Sequence, residues 1–198
     1  MPNVAERPLR ADARRNRERV LKAAREVFSD QGREAQMDDV ARRAAVGVGT
    51  VYRHFPTKEA LLEALAVDAF ERIVEIARDR LAHIADPWEA LTSTLWAGAE
   101  ILAADRALSE VMSEIPGPVP VGLDTQRELN DAMAELLRRA IEAGALRPDA
   151  VLDDMSMVMC GIGAATRKSH MCAQSWRRHM TIVIDGLRAA SATGPLPS

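Results

Sequence analysis

Residues 46–65 read VGVGTVYRHFPTKEALLEAL, and the reading of this stretch decides the fold. Gly47 interrupts whatever comes before it, and Pro56 ends whatever comes before that. What lies between, residues 48–55, is one short helix. Val51 and Phe55 are one turn apart and fall on its inner face. Thr50, Tyr52, Arg53 and His54 are left on the outside, all of them hydrogen-bond formers. Thr57 is a good N-cap for a following helix that opens with Lys58. A helix this short with so narrow an apolar face cannot build a core, so its outer side chains are there to be used. Gly47 and Gly49 keep bulk away from its start, where a nucleic-acid backbone could approach and free N–H groups could meet phosphate.

Working outward, residues 37–45 form another short helix. Asp38 and Asp39 sit in its first turn, where the macrodipole favours carboxylates, and Val40 and Ala44 point inward. Two short helices joined by a tight, glycine-containing turn are a helix-turn-helix signature, and the second is the one that enters a major groove. Residues 11–31 supply a first helix, with Val20, Ala23, Ala24, Val27 and Phe28 at helical spacing and Gly32 as its stop. Residues 1–10, with two prolines, read as a flexible arm.

Downstream the pattern stays helical. A long helix over 58–84 carries Leu61, Leu62, Leu65, Ala69, Ile73, Ile76 and Leu81 as its stripe. Asp86-Pro87-Trp88 starts a helix running to 103, and a shorter one covers 105–113. PGPVPVG (116–122) cannot be regular helix. Helices follow over 123–143, closed by Gly144, then 149–168 and 174–190, and residues 191–198 read as a loose tail. The chain is therefore predicted all-α, about nine helices, with no strand pattern and no internal repeat. Its divisions are an arm (1–10), a three-helix DNA-binding head (11–57), a helical body (58–190) and a tail (191–198).

Composition agrees. Apolar residues make up 47% of the 198, enough for a real core, while aromatics are only 4%. The net charge of -3 hides an asymmetry. Residues 1–58 hold 13 Lys and Arg against 8 Asp and Glu, and residues 59–198 hold 13 against 21. A head of +5 on a body of -8 predicts that one end alone meets a polyanion. Cys160 and Cys172 match no metal or redox spacing and read as buried or half-buried thiols. His83, His170 and His179 are scattered solvent-facing residues, so no metal site and no cofactor is expected. With no bilayer-length apolar run and no apolar leader, the expected setting is the cytoplasm, with no membrane partner.

The strings VLKAAREVFSDQG, MDDVARRAAV and VGVGTVYRHFPTKEALLEAL, within residues 20–65, resemble the DNA-binding domain of the TetR family of bacterial transcriptional regulators. AGALRPD (143–149) also recurs in members of that family. The resemblance implies that Tyr52, His54 and Lys58 bind backbone phosphates and that Thr50 touches phosphate or base. It places Arg53 where a base is often read, which suits the O6/N7 edge of a guanine. Val48 and Gly49 open the reading helix, and Val48 could meet a thymine methyl. Two positions depart from the family pattern. Gln36 stands where members have a Thr or Ser that caps the second helix and binds phosphate, and Ala45 stands where a Gly is usual.

The resemblance also implies that the body binds a small molecule and dimerises through its last two helices. Trp96, Glu100, Met112, Met133, Leu137, Met157 and Cys160 are the candidates to line a cavity under the proline-rich loop, although methionines equally fill ordinary cores. Met155, Val158, Met159 and Ile162 on one helix, and Met180, Val183, Ile184 and Leu187 on the next, are the candidates for the dimer interface. Apolar coverage that wide calls for two partners, one inside the protomer and one across an interface. The implied function is a one-component repressor: a homodimer on a palindromic double-stranded DNA operator, switched by a small-molecule effector. Two rivals stand beside it. A helical protein-interaction adaptor would bind no DNA. A helical enzyme would need a nucleophile-base pair, paired acids or a phosphate loop, and the sequence offers none, so no catalytic residue is named.

Overall fold

A computed structural model describes residues 6–104, 122–168 and 175–197. Among them are eight α-helices: α1 (Glu6–Gln31), α2 (Met37–Ala44), α3 (Val48–His54), α4 (Lys58–His83), α5 (Pro87–Ala104), α6 (Leu123–Glu142), α7 (Leu152–Lys168) and α8 (Ser175–Leu187). The helix expected over 105–113 lies outside the described residues. No described helix is long and apolar enough to cross a membrane.

The head is α1 to α3 plus the start of α4. Val20, Ala24, Val27 and Phe28 of α1 pack with Val40 of α2, Val51, Phe55, and Leu61 and Leu65 of α4 in one buried cluster. Helix α1 begins at Glu6, ahead of the expected Ala11, and so takes in residues assigned to a loose arm. It ends where Gly32 adopts φ +58, a left-handed turn that favours glycine.

The junction after α2 explains how the chain tolerates Ala45. That residue is left-handed too, at φ 53 and ψ 46, a conformation that costs an L-residue about 1–2 kcal/mol. Arg19, reaching across from α1, donates to the carbonyl of Ala44 at 2.7 Å, so the end of α2 is capped by a cation where the macrodipole favours one. The start of α2 is likewise held without a Thr or Ser. Asp39 accepts from the backbone N–H of Gln36 at 3.4 Å, while the Gln36 amide donates to the carbonyl of Glu34.

Helix α4 contains no Gly or Pro and is capped at its start by Thr57, whose hydroxyl accepts from the Ala60 N–H at 3.1 Å. Its first two turns belong to the head core. Ala66 and Ala69 belong to a second cluster with Ile101 and Leu102 of α5. The Arg25–Asp68 ion pair ties α1 to α4 beside that seam. The largest cluster fills the body, from Leu91 and Leu95 of α5 through Leu136 and Leu137 of α6 to Ile162, Trp176 and Met180 of the last two helices.

The backbone near the chain's end makes two hydrogen bonds to the body. Arg147 grips Asp149 through two hydrogen bonds of 2.6 and 2.9 Å and donates a third to the carbonyl of Gly194. Asp149 also accepts from the Leu196 N–H at 2.7 Å. The ALRPD string is thus the clasp that folds the chain's end against the body.

Candidate nucleic-acid interface and its linked cavity

Helix α3 has seven residues, of which Val51 alone is buried. Val48 and Tyr52 stand one turn apart and are 43% and 48% exposed. Gly49 and Arg53 form the adjoining exposed row, and Thr50 and His54 are half-buried at the flanks. A Cβ built on Gly47 or Gly49 would meet nothing, so the start of the helix is open to an approaching backbone. Arg53 forms no ion pair with any described residue. Arg42, Arg43 and Arg25, by contrast, are paired with Asp39, with Glu26 and Asp30, and with Asp68. Two cations of the head sit on aromatic faces: Arg17 over Phe55 at 5.6 Å, and Lys58 over Phe28 at 5.4 Å.

His54 differs from its neighbours. Its Nε2 is buried with no hydrogen-bond partner, and desolvation, with Arg53 and Arg17 nearby, holds its pKa below the usual histidine value. The ring is therefore neutral at neutral pH. Gln36 is exposed at the start of α2.

The body carries a cavity of about 310 Å³ between α4, α5, α6 and α7. Leu95, Leu102, Met133 and Met155 form a buried floor, with Thr94 almost fully enclosed, and Phe70 and Ile73 of α4 form one wall. Gln126, Asn130, Ser156 and Cys160 make a polar rim, of which the last three are exposed.

The body candidates redistribute. Met133 and Cys160 stand in the cavity wall. Trp96 instead packs on Trp176, with ring centroids 6.0 Å apart, and Leu137 belongs to the body core. Glu100 is exposed and faces Arg177 at 3.4 Å. Met157 is 71% exposed, pointing away from the cavity, and Met112 lies outside the described residues. Among the residues assigned to a dimer face, Met155 and Met159 line the cavity. Ile162, Met180, Ile184 and Leu187 are buried in the protomer's own core, and Val158 and Val183 are half-buried against it. Among the described side chains of α7 and α8, the large apolar ones that are exposed are Met157 and Ile182. Helical spacing does not separate these surroundings, because every third or fourth apolar residue fits either side of a packed helix. Cys160, expected to be buried or half-buried, is exposed. The contributions of Arg19, Thr94 and the polar rim carry no periodic signal.

The sequence pattern described as bacterial regulatory proteins, tetR family, matches residues 20–65. That of the C-terminal domain of SbtR-like transcriptional regulators matches residues 86–189. The HTH-type transcriptional regulator UidR of Escherichia coli K12 is 28% identical over 145 residues, which is 71% of this chain and 74% of UidR. The HTH-type transcriptional repressor KstR of Mycolicibacterium smegmatis is 46% identical over 87 residues, 41% of this chain and 42% of KstR. A TetR transcription regulatory protein from Mycobacterium vanbaalenii superposes with a TM-score of 0.68 at 37% identity, covering 91% of this chain and 99% of that one. These relatives favour a regulator over an adaptor. With its head matching one pattern and its body the other, the chain belongs to the TetR family of bacterial transcriptional regulators, as a member with an SbtR-like C-terminal domain.

Proposed function

We propose that the protein is a one-component repressor, a twofold dimer on a palindromic operator that a small molecule in the α4–α7 cavity releases. The observation that carries this reading is the span of α4. Its first turns lie in the head core through Leu61 and Leu65, and Phe70 and Ile73 of the same helix wall the cavity. A ligand that binds two positions of that wall with different free energy changes the setting of the head.

On the DNA side, Thr50, Tyr52, Lys58 and Gln36 position the head on phosphates, and Arg53 reads a base. His54, at the end of the same helix, stands beside the phosphates that Tyr52 contacts. Val48 and Gly49 allow the close approach. On the dimer side, Met157 and Ile182 mark the outer faces of α7 and α8 that a second copy covers. Two such heads would stand roughly one DNA turn apart. The setting is the cytoplasm, and the chain performs no catalysis.

A gel-shift titration on fragments selected from the source genome, run across a salt series, tests the reading. Affinity should fall steeply with salt. Tyr52→Phe should weaken all sequences alike, while Arg53→Ala should relax preference at one base pair by roughly 1–3 kcal/mol. An Arg53→Ala protein with intact base preference would falsify the assignment of base readout to that residue.

A further inference from the structure

We infer that the cavity takes an uncharged, mainly apolar molecule with one hydrogen-bonding end, and that Gly98 sets how much of that molecule fits. This inference rests on the proposed role of the cavity as effector site and names the chemistry of its occupant.

Three observations carry it. No Lys, Arg, His, Asp or Glu stands among the described residues of the lining, so a charged guest would lose its hydration without a counter-charge to replace it. Polar side chains are segregated. The deep part is apolar apart from Thr94, whose hydroxyl is already committed to the Ala90 carbonyl at 2.8 Å. Hydrogen-bonding capacity is gathered at the rim, where the Gln126 amide donates to Asn130 at 3.0 Å and the Ser156 hydroxyl stands on the facing helix. An occupant should therefore enter with its apolar end first and leave one polar group at the rim. At about 310 Å³ the space is at the lower end of small-molecule sites, which run roughly 300–1,000 Å³.

Gly98 supplies the third observation. It is buried in the middle of α5, where glycine costs helix stability and so needs a reason. A Cβ built there would come within 3.2 Å of the Met159 terminal methyl and 3.9 Å of the Ile73 Cδ1, both side chains of the cavity wall. It would meet no backbone among its nearest neighbours, so the missing side chain is part of the cavity's volume.

The test uses three eight-carbon probes on the full-length dimer at pH 7: 1-octanol, octanoate and octylammonium, with binding followed by calorimetry. Octanol should bind, and the two ions should bind about tenfold more weakly, because the rim offers a charged head only neutral partners in exchange for part of its hydration. Gly98→Ala should weaken octanol, and Gly98→Leu should abolish it while both variants keep the wild-type circular dichroism. If the Leu variant misfolds, the Ala variant and a shorter probe, 1-hexanol, decide. Hexanol should lose less to the added methyl than octanol does. Equal or tighter binding of either ion, no binding by any of the three, or unchanged octanol affinity in Gly98→Ala overturns the inference. The switch fails separately. Octanol that binds without altering operator affinity refutes ligand control and leaves the cavity's chemistry standing.

Discussion

The reading helix should hang on one buried side chain, and Val51→Ala measures how firmly. Helix α3 has seven residues, well short of the roughly 12–15 that an isolated helix needs. Its position comes from Val51, fully buried, and from Phe55 just past its end. Removing two methyl groups forfeits about 1.6 kcal/mol of transfer free energy at about 0.8 per carbon. The vacated space adds up to about 1 kcal/mol, because the site sits between α1, α2 and α4 and cannot fully collapse. Alanine returns about 0.5 kcal/mol through its better helix propensity. The net loss is about 2 kcal/mol, which in a chain of this size lowers the melting temperature by roughly 4–8 °C. Scanning calorimetry and urea unfolding read that loss, and gel shifts on operator and random duplex read its consequence. Phosphate and base contacts ride on the same helix, so affinity for both duplexes should fall by a similar factor and their ratio should hold. Arg53→Ala is the counterpart: it should leave stability within about 0.5 kcal/mol and reduce the ratio. A Val51→Ala protein that melts within 1 °C of wild type, or that loses the operator-to-random ratio while stability is kept, would refute the argument.

Three further outcomes are expected. Ala45→Gly relieves a left-handed alanine and should stabilise the head by about 0.5–1 kcal/mol, measurable by urea unfolding; a destabilised variant would mean that the strain at this turn is negligible. His54 has a folded pKa below its unfolded value, so its contribution to stability is present above about pH 6.5 and is lost as pH falls through the lower folded value. A phosphate beside the ring reverses the preference, so operator affinity should rise between pH 8 and pH 6 in wild type and stay flatter in His54→Gln; parallel slopes would remove His54 from the interface. Ile182→Asp places a charge on the exposed apolar face of α8 and should shift the sedimentation of the dimer toward the monomer, whereas unchanged sedimentation moves the interface elsewhere.

The head was legible in the sequence because local rules decide almost all of it. Gly32, Gly47, Pro56 and Thr57 punctuate, and the inward residues follow from spacing over one or two turns. What escaped was the compensation for Ala45. Arg19 and Ala44 are 25 positions apart, and nothing in either neighbourhood announces that they meet. The body was legible as helices and illegible as surfaces. Periodicity marks an apolar stripe on α7 and α8, yet it cannot say whether the stripe faces its own protomer, a cavity or a partner. Met155, Met157 and Met159 illustrate the point, since within five residues they line the cavity, face solvent and line the cavity again. Asp149 reads in the sequence as a turn residue, whereas its carboxylate takes both Arg147 and the Leu196 N–H, which together hold its pKa well below the usual range.

On the proposed mechanism, the rigidity of α4 matters more than the size of any movement in the cavity. From Ile73 to Lys58 the helix runs fifteen positions, about 22 Å at 1.5 Å per residue. No Gly or Pro interrupts it, so it has no internal hinge of the usual kind. A tilt of about 5° imposed at Phe70 and Ile73 therefore carries Lys58 by about 2 Å. Phosphate contacts weaken steeply beyond about 3.2 Å, so a displacement of that size breaks them. Leu61 and Leu65 make the coupling two-sided, because the head core grips them and must travel with the helix. The Arg25–Asp68 pair adds a second attachment at the same level. A lever held at one end by the head's own core and walled at the other by the cavity leaves little slack in which a ligand's push could be absorbed, so a small, uncharged occupant is enough to move the head.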